Sequence, residues 1–136
     1  MLTCRRGSSM AEAAITMPVV LLVIMYGINV SLVSHTALVA ANAASYGARV
    51  GAVSQKDARF WAEAAARTAL GANRTGGEFD APSARVDENP GGVVTVTIHW
   101  RYPSIFYGLC DLVGGGDNCP RMFEGDAVSV WKKEGW

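Results

Sequence analysis

Ala13-Ala-Ile-Thr-Met-Pro-Val-Val-Leu-Leu-Val-Ile-Met-Tyr-Gly-Ile-Asn-Val-Ser-Leu-Val33 decides how the rest of the chain must be read. As a helix these residues cover roughly 32 Å, about the thickness of a bilayer's hydrocarbon core. They open a run of 36 residues between Glu12 and Arg49 that contains no Asp, Glu, Lys or Arg, although charged residues make up 18% of the chain. The 88 residues that follow this run can form one small domain but not a core large enough to bury such a helix on every face. A membrane span is therefore the expected state. Pro18 and Gly27 lie inside it, where membrane helices tolerate them better than soluble ones do.

The flanks set the expected topology. Arg5 and Arg6 form a short basic segment before the span, with no comparable cluster just after it, which predicts a cytoplasmic N-terminus and an exported remainder. A cleaved secretory signal is the rival reading, since Ala37 to Ala44 supply small residues; the apolar run is longer than a usual signal core. Beyond the span, Ala37, Ala41, Ala44 and Ala48, with Gly47 and Gly51, repeat small residues four apart. That spacing reads either as a helix-packing face or as helix propensity with no partner. Ser54-Gln-Lys-Asp57 has the form of a capping box, and Gly71 is a plausible stop. Between them Ala58, Trp61, Ala62, Ala65 and Ala69 mark an apolar face, with Arg59, Glu63 and Arg67 as a solvated row of i,i+4 charges.

From Gly71 to Gly92 the composition turns to loop formers around a short strand near Arg85 to Asp87. The clearest strand follows: Val94, Val96, Ile98, Trp100 and Tyr102 alternate with Thr95, Thr97, His99 and Arg101, and Pro103 closes it. Glu88-Asn-Pro-Gly-Gly92 reads as the hairpin turn between the two, and Ala127 to Lys132 supplies a third strand. The expected fold class is α+β: a long N-terminal transmembrane helix, then an amphipathic helix, packed on a small antiparallel sheet of two or three strands. Residues 1–7 read as a basic leader, 8–53 as the transmembrane and alanine-rich helix, and 54–136 as the exported head.

Chemistry-bearing residues are sparse. Cys110 and Cys119 bracket a Gly-rich loop on the expected exterior, where thiols oxidise, and a disulfide there contributes on the order of 2–3 kcal/mol in the chain-entropy model; two free thiols are the alternative. His35 and His99 have no ligand-type spacing, so no metal or other cofactor is expected. Gly114-Gly-Gly116 lacks the Lys and Ser/Thr of a phosphate loop, and neither His-Glu-x-x-His nor Gly-x-Ser-x-Gly occurs, so an enzyme is not the expected reading. Lys plus Arg and Asp plus Glu number 12 each, and this balance makes no case for a nucleic-acid partner. Asn73-Arg-Thr75 matches a glycosylation sequon. Trp61 and Trp100 fall on the expected core faces.

One constellation stands apart. Arg5-Arg6-Gly7-Ser8-Ser9-Met10-Ala11-Glu12 is a basic leader, a glycine, four uncharged residues and a glutamate at the edge of an apolar helix, where a carboxylate needs compensation. An interfacial carboxylate favoured by the helix dipole is one explanation. The arrangement also resembles the class III signal of type IV pilin-like proteins, which implies cleavage between Gly7 and Ser8 by a prepilin peptidase, with Glu12 as the fifth residue of the mature chain. With Pro18, Gly27 and Ala41-Asn-Ala-Ala-Ser-Tyr-Gly-Ala-Arg49 added, the first 50 or so residues resemble TadE-like pseudopilins, or minor pilins, of the tight-adherence (Flp/Tad) pilus systems. Ala11 and Ala13 depart from the aliphatic residue and the phenylalanine that often flank the glutamate.

What the resemblance implies is a non-enzymatic inner-membrane protein with an extracytoplasmic head that assembles or primes an adhesive Flp-type pilus, with entry into the filament left open. Its implied partners are the prepilin peptidase, the major Flp pilin, a second TadE-like protein and the inner-membrane Tad secretion platform. The runner-up reading is a membrane-tethered extracytoplasmic sensor or ligand-binding module.

Overall fold

The computed structural model describes residues 6–72, 76–87, 89, 91–108 and 120–133. The chain runs α1 (Arg6–Val53), α2 (Ala58–Ala72), β1 (Glu78–Phe79), β2 (Ser83–Val86), β3 (Val93–Pro103) and β4 (Met122–Lys132), an α+β fold. It divides into two compact units, one ending at Leu32 and one beginning at Val33, so the second half of α1 belongs to the head.

In the first unit the helix turns large apolar side chains outward along its length: Ile15, Leu21, Val23 and Tyr26 are 58–70% exposed. The apolar stretch of α1 reaches a mean hydropathy of 2.1 with only 6% of that window buried. Among the described residues it is the one helix long and apolar enough to cross a membrane. A soluble core helix with those side chains would bury them, which this one does not.

In the second unit, small residues let backbones approach. Thr36, Ala40, Ala43, Ala44, Ala48 and Ala52 of α1 are buried, as are Ala58, Ala62 and Ala66 of α2. A Cβ added at Gly51 would lie 2.8 Å from the Ala62 Cβ and 3.0 Å from Val94 Cγ1; one at Gly47 would lie 2.7 Å from the Ala62 carbonyl oxygen. Glycine is required at both positions by that approach. Because the α2 row facing α1 is made of alanines four apart, Trp61 lies off it. It is 52% exposed and packs edge-on to Phe60, with ring centroids 5.7 Å apart. The expectation that Trp61 faces the core is thus corrected.

The turn between the helices also differs from expectation. The Ser54 hydroxyl and N–H both donate back to the Val50 carbonyl, at 2.8 and 3.2 Å, finishing α1 and satisfying one of its terminal acceptors. Asp57, at φ 53°, instead opens α2 by accepting from the Trp61 N–H at 3.1 Å. No capping box from Ser54 forms.

β3 organises the sheet. Along one side it pairs with β4 from Val93↔Lys132 to Pro103↔Met122; along the other it pairs with β2 from Ser83↔Thr97 to Val86↔Val94, and with β1 at Glu78↔Arg101 and Phe79↔Trp100. All pairings are antiparallel. The expected alternation holds: Val94, Val96 and Ile98 are fully buried and Tyr102 is 8% exposed. The hairpin between β2 and β3 closes through Asp87 N–H to Val93 O at 3.0 Å and Gly92 N–H to Asn89 O at 2.8 Å, with Gly91 at φ 80°. The fourth strand, β1, is a two-residue pairing too short to carry an alternation pattern. β4 begins five residues before Ala127, because pairing with β3 recruits Met122 to Asp126 despite their charged and glycine content. Trp100 lies over Gly125 there, and a Cβ on that glycine would sit 2.9 Å from the indole.

Candidate functional site

The N-terminal constellation lies on α1. Gly7 and Ser8 fall in its first turns, and Glu12 follows one turn after Ser8, exposed. The Thr16 hydroxyl donates to the Glu12 carbonyl at 2.8 Å, a local bond just ahead of Pro18, which itself has no N–H to donate. This arrangement puts a carboxylate at the head of the stretch from Ala13 to Ala48, which carries no other charged residue.

The four alanines of the expected packing stripe divide. Ala44 and Ala48 are fully buried in the head's core, Ala37 is half-buried and Ala41 is exposed. Cys4, Cys110, Cys119, the sequon at 73–75, Gly114 to Gly116 and the leader residues before Arg6 lie outside the described residues.

The head carries two polar arrangements that residue spacing did not reveal. On the outer face of the sheet, His99 Nδ1 lies 2.8 Å from Asp126 Oδ1 and its Nε2 lies 3.9 Å from Glu124, while Arg101 donates to both oxygens of Asp80 at 2.7 and 2.9 Å. The β3–β4 register brings Asp126 and Glu124 to His99, and the β1–β3 pairing brings Asp80 to Arg101; a sequence scan supplies neither. Among the described residues no group of three or more His, Cys, Asp or Glu is placed to hold a metal ion. On the inner side, Arg49 of α1 stacks over the Trp131 ring at 5.1 Å.

The second arrangement is Glu63. Read from sequence as one of a solvated row, it is 22% exposed and accepts both from Arg59 Nε at 3.1 Å and from the Ala84 N–H of β2 at 3.3 Å. Ala84 sits opposite Val96 at a position whose N–H turns away from β3, so Glu63 covers part of an open strand edge. The Arg59 hydrogen bond, opposed by burial and aided by the Ala84 N–H, holds the Glu63 carboxyl below its usual 4.5. A lowered folded value means the stabilisation is complete above about 4.5 and is lost as pH falls through that lowered value. Glu63→Gln should therefore destabilise the head by about 1 kcal/mol at pH 7, with the gap to wild type closing in acid. Thermal unfolding of the two chains at pH 7 and pH 3 measures it; an unchanged gap would contradict this role.

Residues 7–49 match the family described as TadE-like protein, over the segment that holds Gly7, Glu12 and the alanine-rich half of α1. No curated protein and no solved structure matches the chain. The match supports a Tad-pilus-associated role in general, and with the long apolar helix it supports single-pass membrane anchoring. Residues 7–49, from the glycine ahead of the apolar run to Arg49 at its end, are thus similar to the TadE-like family.

Proposed function

We propose that this chain is a pilin-like membrane component that takes part in assembling or priming a Flp-type adhesive pilus. The observation that carries the reading is the coincidence of the TadE-like match with the Gly7 to Glu12 spacing at the head of an exposed apolar helix. A prepilin peptidase cuts between Gly7 and Ser8. The mature chain is held in the inner membrane by α1 with its N-terminus on the cytoplasmic side, and the head lies outside, closed by a Cys110–Cys119 disulfide. Glu12, with the Ala37 and Ala41 face of α1, meets the other subunits: the major Flp pilin and a second TadE-like protein, supplied through the Tad secretion platform.

Intact-mass measurement of the membrane-extracted protein, with affinity recovery of its partners, tests the reading. The expected mature chain begins at Ser8, and Gly7→Val retains the leader because a branched side chain denies the peptidase its small residue. Pilin-like subunits should be recovered with the wild-type chain. A native chain retaining Met1 to Gly7 in cells with an active peptidase, and recovering no pilin-like subunit, would overturn it.

A further inference from the structure

β4 forms one rim of the sheet, and its pairing with β3 determines which backbone groups are already used. Lys133 donates its N–H to Gly92 O at 2.7 Å, and Arg121 O accepts from Ser104 N–H at 3.0 Å. Odd-numbered residues of this segment therefore bond toward β3. Antiparallel alternation then turns the N–H and C=O of Met122, Glu124, Asp126, Val128, Val130 and Lys132 to the opposite edge. No described strand pairs with that edge, and all six residues are exposed.

An open edge of 11 residues is a template for another strand unless it is blunted. Here the charges are sorted rather than mixed. Glu124 and Asp126 precede a centre of Val128 and Val130, which are 58% and 57% exposed, and Lys132 and Lys133 follow it. Acid, apolar, base along one strand is self-complementary when the strand meets an antiparallel copy of itself.

We propose that the free edge of β4 pairs antiparallel with β4 of a second copy of this chain, centred on Val128, joining the two sheets into one. In that register Val128 lies opposite Val128, Asp126 opposite Val130 and Glu124 opposite Lys132, and the outward-facing N–H and C=O groups of Glu124 to Lys132 all find partners. The side chains of these even-numbered residues share the sheet's outer face with Thr97 and His99, so the opposed charges meet on one side. Neighbouring registers of the same parity use the charges less fully. A slip of two residues one way sets Glu124 against Val130 and Lys132 against Met122, with no ion pair; the other way sets Val128 against Val130 and brings Lys132 to Asp126, which His99 already holds at 2.8 Å, and carries Glu124 past the last lysine it could meet. Parallel in-register pairing stacks like charges. Backbone pairing and the valines supply the attraction, and the exposed ion pairs select the register. This inference rests on the sheet alone and is independent of the pilus reading.

The test uses the full chain in detergent under mild oxidation, with the parent chain as control for its native cysteines. Hydrogen-bonded antiparallel partners have Cα atoms about 5.5 Å apart, within disulfide reach. Two copies of residue 130 lie roughly 14 Å apart in this register, beyond it. Val128→Cys should give at least about five times more covalent dimer than Val130→Cys or the parent. In the Val128→Cys background, Glu124→Lys or Lys132→Glu alone should lower the yield, and the two together should restore it. Equal yields from positions 128 and 130, or charge reversals whose combination fails to recover the dimer, would overturn the proposal.

Discussion

Gly51→Ala destabilises the head by about 1–3 kcal/mol, although alanine is the better helix former. Exchanging glycine for alanine inside a helix ordinarily gains up to about 1 kcal/mol. At Gly51 the new methyl lies 2.8 Å from the Ala62 Cβ, 3.0 Å from Val94 Cγ1 and 3.1 Å from the Ala58 carbonyl oxygen, where α1, α2 and β3 converge. Neither the carbonyl nor the alanine Cβ has a rotamer with which to retreat, so the helices must separate, and overpacking outweighs propensity. Gly71 in α2 has nothing within 4 Å of its added Cβ, so Gly71→Ala should stabilise the same head by about 0.5–1 kcal/mol. Thermal unfolding of the two variants in detergent should move in opposite directions. A Gly51→Ala chain as stable as wild type would mean that α1 and α2 do not pack as described.

The second large effect concerns Glu12. A carboxylate in hydrocarbon costs about 3 kcal/mol at the bilayer centre and less toward the interface. Cleavage after Gly7 would create an amino group at Ser8, and an ammonium from one subunit beside the carboxylate of the next offsets that cost only when the two helices are in register. The charge would then reward one stagger during assembly and penalise others. Glu12→Gln preserves size without charge, and Glu12→Leu inserts more readily still. Both variants should reach the membrane at wild-type abundance with a folded head, yet lose most partner recovery. Glu12 lies in the unit that ends at Leu32, outside the head, so a lower unfolding temperature of the head in either variant would contradict this separation of roles.

Much of the fold was legible because two periodicities are unambiguous. The uncharged run after Glu12 is too long and too uniformly apolar for a small domain to bury, and the alternation from Val94 to Tyr102 admits one inward face. The hairpin at Asn89 and Gly91 was readable for the same local reason, since turn chemistry lies in adjacent residues. What escaped depends on residues distant in sequence. Trp61 is hydrophobic and at helical spacing, but the approach of α2 to Gly47 and Gly51 leaves room only for Ala58, Ala62 and Ala66 in the contact. Glu63 looks like a member of a charged row until the Ala84 N–H is placed beside it by the sheet. His99 gains its carboxylate neighbours from a register that pairs it with a residue 27 positions away. The repeated small residues left a packing face and mere helix propensity as equal readings, and at Gly47 and Gly51 the close approach is to α2 of the same chain. The N-terminal constellation needs no tertiary contact to be noticed, because its six residues from Gly7 to Glu12 are contiguous.

Whether this chain takes part in building a Flp-type pilus through its N-terminal segment is decided by counting surface filaments. Cells lacking the chain are compared with cells restored with wild-type or Glu12→Leu protein at matched membrane abundance. Filaments should disappear without the chain, return with the wild-type chain and fail to return with Glu12→Leu. Filament numbers unaffected by loss of the chain would contradict it.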